Sequence, residues 1–196
     1  MAKIANTDRF KKIVYLSSSR VYGQSSSTIE GEVIKYQNLG FSNLYDFSKL
    51  MGECILYKKK HFEKSVILRL SNVVGENQPV TTALGQMLEE ARSGSIKLND
   101  TFEFGRDYVC LPDVVSVMVN IEKLKEGNTY NVSTNSIITN KNILDWMAEK
   151  FSFSVEITEN PRNEKSVLPV DNQKIIEELG IQFRDPKIEI INQIWR

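Results

Sequence analysis

Apolar positions along this chain fall into short blocks whose period changes. "KIVYLS", Lys12 to Ser17, is a compact apolar run with β-branched residues and predicts a buried strand. "VILRLSNVVG", Val66 to Gly75, predicts a second strand that ends at a glycine. Between them, "LYDFSKLMGECILYKKKHF" carries its apolar residues at helical spacing, with Ser42 or Asn43 as N-cap. Strand, long crossover helix and buried strand make a βαβ unit, and that arrangement predicts a parallel sheet.

Beyond Gly75 the texture changes. "TTALGQMLEEARSG" predicts an amphipathic helix stopped by Gly94, "SIKLN" a short strand and "FEFGRDYVC" extended chain. "LPDVVSVMVNIEKL" starts a helix with Pro112 in its first turn, and "TYNVS" is another strand. "TNKNILDWMAEKF" predicts a helix capped by Thr139 or Asn140. The tail predicts two short helices, one ended by Gly180 and one begun near Pro186. The fold class is α/β, with no internal repeats, low-complexity segments or long linkers.

Composition narrows the setting. Lys plus Arg and Asp plus Glu number 25 each, which gives no electrostatic footprint for nucleic acid or a membrane surface. No apolar run reaches membrane-spanning length, and no signal-peptide core opens the chain. Cys54 and Cys110 stand far apart in no metal-like or disulfide-rich pattern, as expected in a reducing cytoplasm.

Candidate chemistry sits in the predicted crossover helix. Tyr45 and Lys49 are four residues apart and share a helical face. An ammonium a few Å from a phenol favours the phenolate, lowering a pKa of about 10 by roughly one to three units. That brings a tyrosine toward proton transfer near neutral pH. Taken alone, the pair also reads as two surface neighbours. Its context adds a serine run, "SSSRVYG", at the end of the strand before it and "SNVVG" at the end of the strand after it.

"VYLSSSRVYG", "YDFSKLMGE", "LRLSNVVGE", "GRDYVCLPDV" and "YNVS" occur in the order and approximate spacing of a known family. From about Phe10 to Ser133 the chain resembles the extended short-chain dehydrogenase/reductases, the NAD-dependent epimerase/dehydratase family that acts on nucleotide sugars. The resemblance implies a partial Rossmann-type parallel sheet with a small C-terminal mixed α/β substrate domain. Residues 1–75 would form the residual Rossmann-type part, onto which 112–133 can pack back, and 76–196 the substrate-binding part.

The same resemblance implies roles. Ser18 would hydrogen-bond a sugar hydroxyl or ketone, Tyr45 would move its proton, and Lys49 would hold the nicotinamide ribose. Ser17, Tyr45 and Lys49 would border NAD or NADP. Asn72 and Arg106 would lie beside the substrate diphosphate, for which a guanidinium fork is suited. The activity implied is nucleotide-sugar epimerisation or reduction. Family members often dimerise through the helix that bears the Tyr and Lys together with the one before the serine strand, of which this sequence has about the last turns.

Three departures bear on that reading. Dehydratases of the family carry Asp-Glu directly after the catalytic Thr, where this chain has Ser19 and Arg20, so 4,6-dehydration is disfavoured. Cys110 stands where the family's "RDYVHV" has His. No G-x-G-x-x-G or G-x-x-G-x-x-G occurs, so the usual pyrophosphate cradle at a helix N-terminus is missing. The chain therefore looks like the later two-thirds of the family fold. It would work with a complementing N-terminal fragment, as one piece of a split enzyme, or as a silent module that binds a nucleotide sugar or a protein.

Plainer readings stand beside these. Ser17 to Ser19 also fit a polar strand end, Asn72 a cap on the chain's exit from its strand, and Arg106 an ion-pair partner. Asp107 and Asp113 are expected to shape a turn and cap the next helix. Ser25 to Ser27 read as loop, Cys54 as core, Trp146 and Trp195 as packing residues. His61 and Lys58 to Lys60 read as a solvated helix end.

Overall fold

In the computed structural model, residues 10–36, 43–57, 62–159 and 167–195 are described. Strand β1 (Ile13–Ser18) leads through a 3-10 turn (Ser19–Tyr22) to helix α1 (Leu44–Tyr57) and then to strand β2 (Ser65–Leu70). The two strands pair in parallel, Ile13 opposite Ser65 through Ser18 opposite Leu70. Strand β6 (Asn128–Val132) joins the other side of β2, also parallel. The resulting sheet has the order β1-β2-β6, so β1 lies at its edge among the described residues. The observed architecture is the α/β class read from the sequence, with the expected parallel crossover.

The second predicted strand divides. After Ser71 the chain leaves β2 and forms β3 (Asn72–Val74), which pairs in parallel with β5 (Gly105–Cys110) in another sheet. β5 also pairs antiparallel with β7 (Ile137–Thr139), and β4 (Ser95–Leu98) pairs in parallel with β8 (Ser154–Ile157). The apolar run "VILRLSNVVG" hides this break because both halves are extended and largely buried.

Helix ends follow the sequence closely. Thr82 accepts the Gly85 N–H to open α2 (Ala83–Ser93), and Gly94 closes it in the left-handed region. Thr139 and Asn142 form a capping box at α4 (Asn140–Ala148). Pro112 lies in the first turn of α3 (Leu111–Val119), Gly180 ends α5 (Gln173–Leu179), and α6 (Pro186–Trp195) begins at its proline. α1 follows Asn43 directly, whereas Ser42, Lys58 to Lys60 and His61 lie outside the described residues.

Three apolar clusters hold these layers. One joins α2, α4 and α6 to β3, β4 and β5 through Leu88, Ile96, Tyr108, Ile143 and Ile190. A second lies on one face of the β1-β2-β6 sheet, where Val66 and Leu68 meet Val114 and Val117 of α3 and Ile175 of α5. The third, Ile13, Leu56 and Ile67, seats α1 on the opposite face. Both faces of the sheet are thus covered, as buried parallel strands require. Cys54 is exposed, since α1 turns Gly52, Glu53 and Leu56 inward and leaves position 54 outside. Trp146 packs against the first cluster, but Trp195 is exposed beside the Lys150 ammonium.

Candidate functional site

Tyr45, Lys49 and Glu53 recur every fourth residue on α1, so they present one face toward β1. Each engages the strand or the turn after it at a different height. Lys49 Nζ donates to the Leu16 carbonyl at 3.0 Å and lies 5.6 Å from the centre of the Tyr45 ring. Glu53, fully buried, accepts the Ser17 hydroxyl at 2.5 Å. Gly52 leaves room for Tyr15 to lie across the helix, and the Tyr15 hydroxyl donates to the Lys49 carbonyl at 3.1 Å.

Beneath this edge runs a polar row that crosses three strands. Ser17, Arg69 and Asn131 are register neighbours on β1, β2 and β6. Glu53 takes Arg69 at two points, 3.0 Å from Nε and 2.7 Å from Nη2. Burial alone would lower the guanidinium's pKa, but its bonds and attraction to Glu53 outweigh that and raise it. Tyr22 stacks on Arg69 and donates to Asn131 Oδ1 at 2.8 Å, and burial raises its pKa. Asn131 Nδ2 in turn binds the carbonyls of Thr28 and Asp171, fastening two loops over the carboxyl ends of the strands. Tyr22, Glu53, Arg69 and Asn131 lie inside the motifs quoted from the sequence, but apart from Ser17 no member of this row was given a role there. Glu53, one helical turn past Lys49, was the signal available.

Ser18 closes β1. Its Oγ accepts the Arg20 N–H at 3.2 Å and so caps the 3-10 turn. The Arg20 side chain returns across α1: Nε meets Asp46 Oδ1 at 2.7 Å, and Cζ lies 5.2 Å from the centre of the Tyr45 ring. Tyr45 is 47% exposed and has two cations within 6 Å of its ring centre, Arg20 and Lys49. The structure therefore brings Ser17, Ser18, Tyr45 and Lys49 to one edge of the sheet.

Asn72 and Arg106 belong to the neighbouring sheet. Asn72 Nδ2 donates to the Asp107 carbonyl at 2.9 Å, so the two strands bearing these residues touch. Arg106 pairs with buried Asp100 at 2.7 Å, reaches Asn140 Oδ1 at 3.2 Å and stacks on Phe104. A cavity of about 70 Å³ lies beside Asn72, lined also by Gln78, Thr82 and Tyr108. Asp107 does shape a turn, accepting N–H bonds from Thr134, Ser136 and Val170, and burial raises its pKa. Asp113 lies within the first turn of α3 and accepts the Arg184 N–H.

Tyr45 and Lys49 bring a phenol hydroxyl and an ammonium together on one face of α1. The described glycines with positive φ serve other purposes: Gly94 and Gly180 close helices, while Gly23 follows the 3-10 turn. None of them opens a helix after a strand, which is where a pyrophosphate would be held. Among the described residues, no group of three His, Cys, Asp or Glu is placed to hold a metal ion.

Comparison with known proteins bears on the fold and the family. UDP-glucuronic acid 4-epimerase from Bacillus cereus superposes with a TM-score of 0.81 at 17% identity, over 99% of this chain and 64% of that one. RMD from Pseudomonas aeruginosa gives 0.77 at 17%, over 95% and 66%. The ADP-L-glycero-D-manno-heptose-6-epimerase of Helicobacter pylori gives 0.74 at 22%, over 94% and 58%. At such identities the likeness is one of fold, Rossmann-like α/β, and the chain spans less than two thirds of the length of these structures. No curated protein matches the sequence. The family model "NAD dependent epimerase/dehydratase family" matches residues 1–133, about two thirds of the sequence. The chain belongs to the NAD-dependent epimerase/dehydratase family.

Proposed function

We propose that this chain carries the Ser-Tyr-Lys side of an NAD(P)-dependent nucleotide-sugar epimerase or reductase. The observation that supports it most is the meeting of Ser18, Tyr45 and Lys49 at one sheet edge, with Lys49 5.6 Å from the Tyr45 ring. In this reading the Ser18 hydroxyl binds a sugar hydroxyl or ketone, and Tyr45 takes or returns the proton at that oxygen. Lys49 exchanges the Leu16 carbonyl for a cofactor ribose and holds positive charge near the phenol. Ser17, whose hydroxyl is given to Glu53, borders the cofactor with its main chain. Bound NAD or NADP would accept or return hydride. Asn72 and Arg106 flank the substrate diphosphate, Arg106 fixed in place by Asp100. Ser19 and Arg20 replace the acidic pair of a dehydratase, which argues for epimerisation or reduction over water elimination.

Residues 1–75, with 112–133 packed on them, are proposed as the cofactor-side part and 76–196 as the substrate-side part. The outward face of α1, with Leu44 and Met51 exposed, is the candidate homodimer surface. The free thiols Cys54 and Cys110 suit a cytoplasmic setting, and no helix of the described residues is long and apolar enough to cross a membrane.

A second reading has its own observation. The described residues supply no pyrophosphate cradle, and among them β1 is paired on one side only, with Leu16 41% exposed. That favours a module that binds a nucleotide sugar without turnover, or a piece completed by an N-terminal fragment carrying a glycine-rich strand and helix. Calorimetry with NAD and with UDP- or dTDP-sugars separates these readings. Tight stoichiometric NAD binding and turnover that vanishes in Tyr45→Phe support the enzyme. Sugar-nucleotide binding without NAD binding supports the module. Absence of both NAD binding and Tyr45-dependent turnover, with a complementing fragment supplied, defeats the enzyme reading.

A further inference from the structure

A second cavity, of about 500 Å³, has no lining residue from β1 or α1 and so stands apart from Ser18, Tyr45 and Lys49. It opens between the turn after β6, the first two turns of α4 and the segment 182–187 that leads into α6. Its size falls within the roughly 300–1,000 Å³ of small-molecule sites. The walls are fastened from behind. Asp107 accepts the N–H groups of Thr134 and Ser136 at 3.1 and 3.2 Å, and Asp113 accepts the Arg184 N–H at 2.9 Å. Asn142 gives Oδ1 to the Thr139 N–H in the capping box of α4, which leaves its Nδ2 as a donor.

Two cations stand on this lining. Lys187 holds its ammonium 5.4 Å from the centre of the Trp146 ring, and no carboxylate among the described residues pairs with it. Arg184 sets Nε 3.4 Å from Asp113 Oδ1, but its side chain is 63% exposed and its Nη donors have no partner among the described residues. Asp185, the one acid of the lining, accepts the Lys187 N–H at 2.9 Å and so serves the entry to α6. Beside the cations the surface is apolar and aromatic, made by Phe183, Pro186 and the Trp146 indole.

We propose that this cavity binds a small aromatic anion, a flat ring that carries a carboxylate or a phosphate. Its charge is met by a guanidinium fork and an ammonium, and its ring displaces water from the apolar part. A neutral ring leaves both cations without a partner, and a bare anion leaves the aromatic surface wet. Trp195 supplies a comparison within the same chain. It too has an ammonium over its ring, Lys150 at 5.5 Å, yet it is exposed and stands outside the cavity.

In the isotope-labelled full chain the two tryptophans give two indole N–H resonances, assigned with Trp195→Phe. Phenyl phosphate, phenol and inorganic phosphate are titrated separately, with no nucleotide present. Phenyl phosphate is expected to move the Trp146 resonance saturably and to bind at least about tenfold more tightly than either of the others. Lys187→Gln and Arg184→Gln are each expected to weaken it by about three- to tenfold, between an exposed ion pair and a hydrogen bond to a charged group. The remainder of each spectrum shows that the variant is folded. A Trp146 resonance that phenyl phosphate leaves in place overturns the proposal, and so does equal affinity for the three probes. An equal response at Trp195 also overturns it, because a surface cation and an indole then suffice without the cavity. Unchanged affinity in both variants does the same. Each of these results leaves the assignment of Ser18, Tyr45 and Lys49 untouched.

Discussion

Glu53 on α1 holds Arg69 on β2 at two points, 2.7 and 3.0 Å, with 1% and 6% of their side chains exposed. Such a pair contributes little net stability, because desolvation of both ions offsets their attraction, but it is costly to break. Glu53→Ala or Arg69→Ala should each lose about 3–5 kcal/mol in urea unfolding, since either leaves a buried charge alone. Glu53→Leu combined with Arg69→Met should lose less than either single change. A double variant as unstable as the two singles summed would contradict this account.

The two serines that end β1 should separate by what they hold. Ser17→Ala removes a bond to a buried carboxylate and should cost about 1.5–3 kcal/mol. Ser18→Ala removes the cap of a short turn and should cost about 0.5–1 kcal/mol, while abolishing Tyr45-dependent turnover. Denaturation midpoints rank the pair, and the reverse order would mean that the hydroxyls have been misassigned.

Gly52→Ala places a methyl group against the Tyr15 ring and hydroxyl. Overpacking of this kind should cost about 1–3 kcal/mol. Thermal melts of Gly52→Ala with and without Tyr15→Leu provide the check. The leucine should relieve the clash, so a penalty that persists unchanged would point to another cause.

Cys54 is exposed and Cys110 buried. Burial first, then the nearby Asp113 and Glu189 carboxylates, push the Cys110 thiol up to about 11. A chromogenic disulfide reagent at neutral pH should therefore titrate one thiol rapidly and the second only after unfolding. The raised value has a sign for stability. The folded state keeps this proton where the unfolded chain gives it up, so the contribution is present below the ordinary thiol range and is lost as pH rises through about 11. Cys110→Ala should flatten that alkaline loss, and two fast thiols at neutral pH would refute the placement.

Local signals in the sequence were sufficient for most elements. Thr82, Gly94, Thr139 and Gly180 end helices by chemistry that needs no partner far along the chain. The Tyr45 and Lys49 spacing likewise needed only the helix. The break at Ser71 and strand β8 were not legible, because both depend on pairing with distant strands, β5 and β4. Glu53 with Arg69, and Arg20 with Asp46, were missed for the same reason: each pair is defined by the docking of α1, and nothing in either segment names the other. Arg106 shows the reverse limit. Its residue type suited a phosphate, but its pairing with Asp100 becomes visible only once β5 is placed.

Helix α1 meets β1 and its following turn at three heights, through Tyr45 with Arg20, Lys49 with Leu16, and Glu53 with Ser17. Successive contacts are four residues apart, about 6 Å along the axis. The helix is therefore keyed to the strand like a rack, and a slide of one residue would disengage every tooth together. Gradual adjustment along this seam is closed to evolution as well as to thermal motion. The Arg20 side chain lies outside the buried row, yet it is itself the uppermost tooth, held by Asp46 and the Tyr45 ring.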